Sequence, residues 1–153
     1  MLSKRAKYGL KALLMLAERH GEGPVLSGDI AQREHIPAKF LELILLGLKR
    51  EGLAVSRQGR GGGYRLAKPP KEITVGRVVR VLDGPLAPLP CVSRTAYQRC
   101  AECYDEQTCA IRLVMEDVRQ ATAHILDNTT LADLLQRSRS AGKLPKGVLN
   151  LAI

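Results

Sequence analysis

Tryptophan is absent from this 153-residue chain and phenylalanine occurs once, so aromatic residues make up only 3% of it. With hydrophobic residues at 45%, a core must still form, and without large rings it has to be aliphatic and helical. Nowhere is there a run of the ~18 or more apolar residues that a membrane helix requires, which excludes such a span. Residues 8–17 are apolar enough to resemble a secretory core. Lys11 interrupts them, however, and Glu18, Arg19 and His20 stand where a small-residue cleavage site would be needed. The expectation is a cytoplasmic protein with no membrane partner. Histidines are few and scattered, at positions 20, 35 and 124, and read as surface or packing residues. Cysteine is missing from residues 1–90 and again from 110–153. All four thiols therefore crowd into one polar stretch.

What is present is positive charge, and it is unevenly placed. Residues 1–83 carry 16 Lys+Arg against 8 Asp+Glu, whereas residues 84–153 carry 8 against 7. Nearly the whole net charge of +9 thus belongs to the first half. A localised basic surface points to a polyanion, with nucleic acid ahead of an anionic membrane.

Hydrophobic spacing in that half predicts helices. Ser3 is placed to cap a first helix with Ala6, Leu10, Leu13, Leu14 and Ala17 on one face, stopped by Gly21 and Gly23-Pro24. Ser27 has the character of a second cap, followed by a short helix burying Ile30, Ala31 and Ile36. Pro37 suits the first turn of a third helix that turns Phe40, Leu41, Ile44, Leu45 and Leu48 inward and ends at Gly52. Two short helices joined by a tight turn fit a helix-turn-helix.

"LAVSRQGRGGGYRLAK" follows, with β-prone Leu53–Val55 and Tyr64–Leu66 around a glycine-rich, arginine-studded bend. A hairpin behind a recognition helix is a wing, from which Arg57 and Arg60 can reach phosphate or a narrow minor groove. A nucleotide-binding loop is excluded, because no Lys-Ser/Thr follows the glycines. Beyond Pro69-Pro70, Thr74 caps a helix with Val75, Val78, Val79 and Leu82 apolar, ended by Gly84-Pro85. A long helix then begins near Thr108 or Cys109. Its apolar positions Ile111, Val114, Val118, Ala121 and Ile125 alternate in steps of three and four, a coiled-coil seam. Such a seam needs a partner, which a twofold dimer supplies; the alternative is packing on its own N-terminal domain. Thr130 and Asp133 stand at capping-box spacing for a last short helix.

The fold class expected is mostly α with a small β wing. A winged helix-turn-helix domain spans 1–83 and a cysteine-bearing loop 84–108. The dimerisation helix and short last helix cover 109–140, and a tail covers 141–153.

The string "SRQGRGGGYRLAKPPKEITVGRVVRVLDGP", with "LSKRAKYGLKALLMLA" before it and "LDNTTLADLL" near the end, resembles the Rrf-type winged-helix regulators, the family of IscR, NsrR and CymR. The resemblance covers roughly residues 2–136. It implies a homodimeric, sequence-specific transcription regulator that binds a double-stranded DNA operator and, in some members, holds an iron–sulfur cluster. Carried over by position, Ser27 caps the first helix of the DNA-reading unit. Lys39 and Glu42 lie on the recognition helix, where a Glu42 carboxylate can accept from cytosine N4. Gln58 stands where some members have Arg, flanked here by Arg57 and Arg60.

The thiol spacing is C-x8-C-x2-C-x5-C, with one C-x2-C knuckle where a zinc ribbon would prefer two. By the resemblance, Cys103 and Cys109 match the last two cluster cysteines, and either Cys91 or Cys100 the first. Neither of the family's non-cysteine fourth ligands is present, since Arg112 and Lys7 occupy those positions. All four cysteines are therefore expected to ligate one iron–sulfur cluster, 2Fe–2S or 4Fe–4S. Zinc, a metal-free thiol switch, and inert cysteines in a regulator that senses something else are the alternatives. The function expected is a regulator, not an enzyme, sensing iron–sulfur, redox or nitrosative status. The competing reading is an iron–sulfur or zinc carrier whose basic half docks an acidic protein. A redox enzyme built on Cys100-x2-Cys103 lacks the strand–helix context and a nearby base.

Overall fold

The computed structural model describes residues 2–142; the expected tail lies almost wholly outside them. Six helices and one hairpin follow in the order α1 (Lys4–Glu18), α2 (Ser27–Glu34), α3 (Ala38–Arg50), β1 (Ala54–Arg57), β2 (Gly63–Leu66), α4 (Val75–Asp83), α5 (Ala110–Asp127) and α6 (Leu131–Ala141). Short 3₁₀ turns at Pro70–Glu72 and Pro90–Val92 flank α4.

Ser3 caps α1 as its position predicts, its hydroxyl accepting from the Ala6 N–H at 3.0 Å. α1 packs against α2, α3, α4 and α6, so it buries more than one stripe. Ala6, Gly9, Ala12, Leu13, Met15, Leu16 and Ala17 are all enclosed, while Leu10 and Leu14 are only half-buried. The inward face is broader and rotated relative to the expected one because neighbours press on several sides. On α3 the residues Leu41, Ile44, Leu45 and Leu48 are fully buried, each contributing about 1.5–3 kcal/mol of hydrophobic stabilisation. The core is aliphatic, as the scarcity of rings requires. Phe40 sits at its margin, meeting Tyr8 edge-on with ring centroids 5.7 Å apart.

α2 departs from expectation at its start. Leu26, not Ser27, occupies the cap, in extended conformation, and its carbonyl accepts from the Asp29 and Ile30 N–H groups. Ser27 is the first helical residue and its side chain makes no capping bond. The turn to α3 passes through His35 in the left-handed region, φ 53°, and Gly52 closes α3 with φ 70°.

β1 and β2 pair antiparallel in the register Ala54↔Leu66 through Arg57↔Gly63. Val25, between α1 and α2, adds a third rung, exchanging both backbone hydrogen bonds with Tyr64 at 2.8 Å. Gly63 is obligatory at that junction: it has φ 139°, and a Cβ there would lie 2.5 Å from the Val25 carbonyl oxygen.

Thr74 caps α4, accepting from the Arg77 N–H at 3.2 Å, and Val75, Val78, Val79 and Leu82 are buried as expected. α5 lies against α4, where the Arg80 guanidinium donates two bonds to the Asp127 carboxylate, at 2.5 and 2.8 Å. Thr130 and Asp133 form the capping box of α6. That helix returns to α1, and Leu131 joins the core there.

Hydrogen bonds from Arg80 hold the Asp127 carboxyl below the usual carboxylate range, and bonds from Thr130 do the same for Asp133. Depressed carboxyls stabilise the fold fully above the unfolded carboxylate pKa, and that contribution disappears as pH falls through the lowered values. Acid titration of stability should therefore flatten in Asp127→Asn and Asp133→Asn, as read by denaturant midpoints across the acid range. Both sites are substantially exposed, so the effect of each is small.

Candidate nucleic-acid interface and thiol cluster

α3 presents a face to solvent opposite its buried one. Lys39, Leu43, Leu46 and Arg50 recur at steps of four, three and four along it, with Glu42 beside them, all exposed. The hairpin packs on α3 through β1 and ends in an exposed tip. The Gly62 N–H donates to the Gly59 carbonyl at 3.0 Å, which closes a turn carrying Arg60 and Gly61 at its apex. Arg57, Gln58 and Arg60 are exposed there. The ion pairs of this half of the chain lie elsewhere, at Lys11–Glu34, Arg19–Glu22, Arg33–Glu18, Arg33–Glu34 and, reaching α5, Arg80–Asp127. Among the described residues, Lys39, Glu42, Arg57 and Arg60 are therefore free of charged partners. The first N–H groups of α2, at Ser27 and Gly28, open beside the same unit, and the absent Gly28 side chain leaves them accessible. Helix N-termini of this kind suit phosphate.

The cysteine loop is folded on itself. The Gln98 N–H donates to the Pro90 carbonyl at 3.2 Å, and the Tyr97 hydroxyl donates to Glu106 Oε1 at 2.5 Å. Asp105 accepts from the Gln107 N–H and from the Thr108 hydroxyl. Cys109 is the residue immediately before α5, and the Cys103 N–H donates to the Cys100 carbonyl at 3.3 Å. Partial burial, together with negative charge at Cys109, Cys100 and Glu106, pushes the Cys103 thiol upward. Three of the four thiols thus share one neighbourhood. Cys91 is apart from them in character, buried in the Pro90–Val92 turn that packs on α5. All four are free thiols, and no group of three or more His, Cys, Asp or Glu side chains among the described residues is arranged to hold a metal ion.

α5 itself is largely uncovered. Ile111, Val114, Val118 and Ile125 are 67%, 57%, 44% and 58% exposed, and Ala121 is exposed with them. Its opposite face meets α4 and the Pro90–Val92 turn. Beside the stripe lies a hollow of about 570 Å³ lined by Leu2, Val79, Pro85, Leu86, Val118 and Leu126.

A helix-turn-helix backed by a third helix and flanked by a two-stranded wing defines a winged helix-turn-helix DNA-binding protein. The family model for Rrf2, described as an iron-dependent transcriptional regulator, matches residues 2–137, and the chain belongs to that family. An rrf2-like HTH-type transcriptional regulator of Rhodobacter capsulatus is 44% identical over 147 residues, covering 94% of this chain and 98% of the relative. CymR of Bacillus subtilis is 35% identical over 133 residues, covering 87% and 88%. The solved structure of B. subtilis CymR, named as the global cysteine regulator, superposes with a TM-score of 0.76 at 34% identity, over 90% of this chain and 97% of that one. IscR of T. potens gives 0.74 at 31% identity, over 96% and 93%. The relatives are named as regulators, and the protein is a DNA-binding transcription regulator, not an enzyme.

Proposed function

We propose that the protein is a homodimeric, sequence-specific operator-binding regulator whose affinity follows the state of a cysteine-held iron–sulfur cluster. Iron–sulfur, redox or nitrosative status is then the signal it senses, in the cytoplasm. The observation that carries this reading is the juxtaposition on α5. An apolar stripe left uncovered among the described residues begins where the crowded thiols end. Residues 1–83 read DNA, residues 84–108 bear three of the thiols with Cys109 at the start of α5, and α5 joins two copies.

The stripe supports the dimer: four large apolar side chains in coiled-coil spacing are rarely left in water on a monomer.

The three clustered thiols have the chemistry of a thiophilic site, although as they stand they are not gathered around one metal position. Desolvation first, and then the charge of Cys109, Cys100 and Glu106, disfavours the Cys103 thiolate, and a bound cation would offset both. These three would hold the group, with Cys91 as fourth ligand once its turn opens toward them. The cluster supplies a site whose charge and ligation change with oxidant, nitric oxide or iron supply. The chain supplies the loop that joins the reading head to α5, and ordering roughly 20 loop residues changes the freedom between them. The coupling expected is about 1–3 kcal/mol.

On the DNA side, Glu42 accepts from a base edge, Lys39 and the α2 N-terminus at Ser27 meet phosphate, and the wing residues Arg57, Gln58 and Arg60 reach backbone or minor groove. Selection of a preferred duplex from a random pool by the anaerobically purified protein, followed by titration against a scrambled duplex, tests the reading. A pseudo-palindrome with half-sites one or two helical turns apart is expected. Arg60→Ala should weaken binding to every sequence and reduce the salt slope by about one unit. Glu42→Ala should relax base preference more than it reduces affinity. Equal binding of selected and scrambled duplexes at moderate salt would defeat the proposal.

A further inference from the structure

Among the described residues, large hydrophobics are exposed away from the α5 stripe as well. Two of them share one helical face: Leu43, 64% exposed, and Leu46, 40% exposed, both on the outward side of α3. Their neighbours along that face are Lys39, Glu42 and Arg50, and α3 packs against β1 of the wing. An apolar patch set among unpaired cations in the strongly basic half fits a polyanion that also offers apolar points. A second copy of this chain would bring the same positive charge against it and be repelled.

We propose that Leu43, with Leu46 one turn further on, reads thymine C5-methyl groups in the major groove. The inference deepens the proposed function and rests on α3 being the helix that enters that groove. Among the major-groove edges only thymine carries a methyl group, and apolar side chains select it by contact. Side chains three residues apart on a helix stand about 5–6 Å from one another, which spans one to two base-pair steps of about 3.4 Å. The two leucines therefore address methyls on adjacent or next-adjacent pairs. Glu42 lies next to Leu43 in the chain, so the thymines fall beside the cytosine that its carboxylate accepts from. Each half-site is expected to pair a polar contact from Glu42 with one or two methyl contacts. Specificity then comes largely from shape and hydrophobic burial, without bidentate amide readout.

The test uses the full-length dimer in one fixed cluster state and its selected operator. Each thymine of a half-site, and its symmetry mate, is replaced by deoxyuridine, which deletes the methyl and nothing else. One or two positions should lose about three- to tenfold in affinity per methyl, the scale of one buried carbon. Leu43→Ala should lose a similar factor on the natural operator and become indifferent to uracil at the position it contacts. Because Leu43 is exposed and packs on nothing in the core, an unchanged helical circular dichroism spectrum is expected. Leu43→Met, which keeps apolar contact, should retain most of the uracil discrimination. Uniform insensitivity to uracil, or a uracil penalty undiminished in Leu43→Ala, would overturn the inference while leaving operator binding intact. Loss of all preference between selected and scrambled duplexes in the unmodified protein would instead overturn the reading on which it rests.

Discussion

Val118→Asp is expected to leave the protein monomeric and to remove nearly all of its operator affinity. Val118 is 44% exposed and lies in the middle of the α5 stripe, beside the hollow lined by Leu86 and Leu126. In a twofold interface each residue near the axis faces its own symmetry mate or a close neighbour. Two aspartates would lose water together and repel one another, at a cost of several kcal/mol per copy. The protomer itself should tolerate the change, since no core contact is broken. Light scattering should therefore show half the mass with unchanged helicity. Operator binding collapses because two half-sites are no longer held by one particle, and the effective-concentration gain of linked sites is lost. A stable dimer in this variant would place the interface elsewhere.

Cys103→Ala and Cys109→Ala are each expected to abolish iron and acid-labile sulfide in protein purified without oxygen. These two bracket the turn into α5. Glu102 touches Cys100 and Glu106 lies near Cys103, but thiolates are the usual iron–sulfur ligands and a carboxylate is a poor replacement. Cys91→Ala should behave differently. Cys91 is 7% exposed in a turn of its own, so its loss should weaken retention of the cluster without preventing assembly. The raised Cys103 thiol adds a pH signature. Ligation requires the thiolate, so metal affinity should rise with pH until it passes the raised value and then level off. Colourless protein holding stoichiometric zinc would overturn the iron–sulfur assignment and leave the regulator standing. Equal operator affinity with and without the cluster would remove the switch alone.

Much of this architecture was legible wherever a signal is local. Thr74 followed by a four-residue hydrophobic rhythm specified α4, and Thr130 with Asp133 specified the start of α6. The α5 stripe could be read because its period does not depend on what covers it. The errors and omissions share a different origin. Ser27 was assigned as a cap because serine favours that position, but Leu26 holds it, since the Val25–Tyr64 backbone pairing fixes the approach to α2. That pairing joins residues 39 apart in the chain, and no local pattern announces it. The inward face of α1 was misjudged because a helix packed on several sides has no single stripe. Leu43 passed unnoticed for another reason: the inward set of Phe40, Leu41, Ile44, Leu45 and Leu48 already leaves it facing out, but an outward leucine carries no chemistry until the face it shares is known. For the thiols, spacing revealed the cluster, but the separation of Cys91 from the other three depends on how the loop closes.

One junction carries a mechanical consequence. At Gly76 a methyl group would sit 2.0 Å from Asp127 Oδ1 and 2.9 Å from an Arg80 nitrogen. The bare backbone of α4 therefore admits the end of α5, and the Arg80–Asp127 fork locks it there. This makes α5 a lever pinned at its C-terminal end to the reading head, with the thiol loop acting on its other end. A stiff lever fixes the stride between two heads, so the protein should measure operator length as well as sequence. Gly76→Ala would slacken the joint without harming either helix. Such a variant should bind its natural operator less tightly, yet lose less than the parent when one base pair is inserted between the half-sites. The rigidity of that joint is, in effect, a ruler.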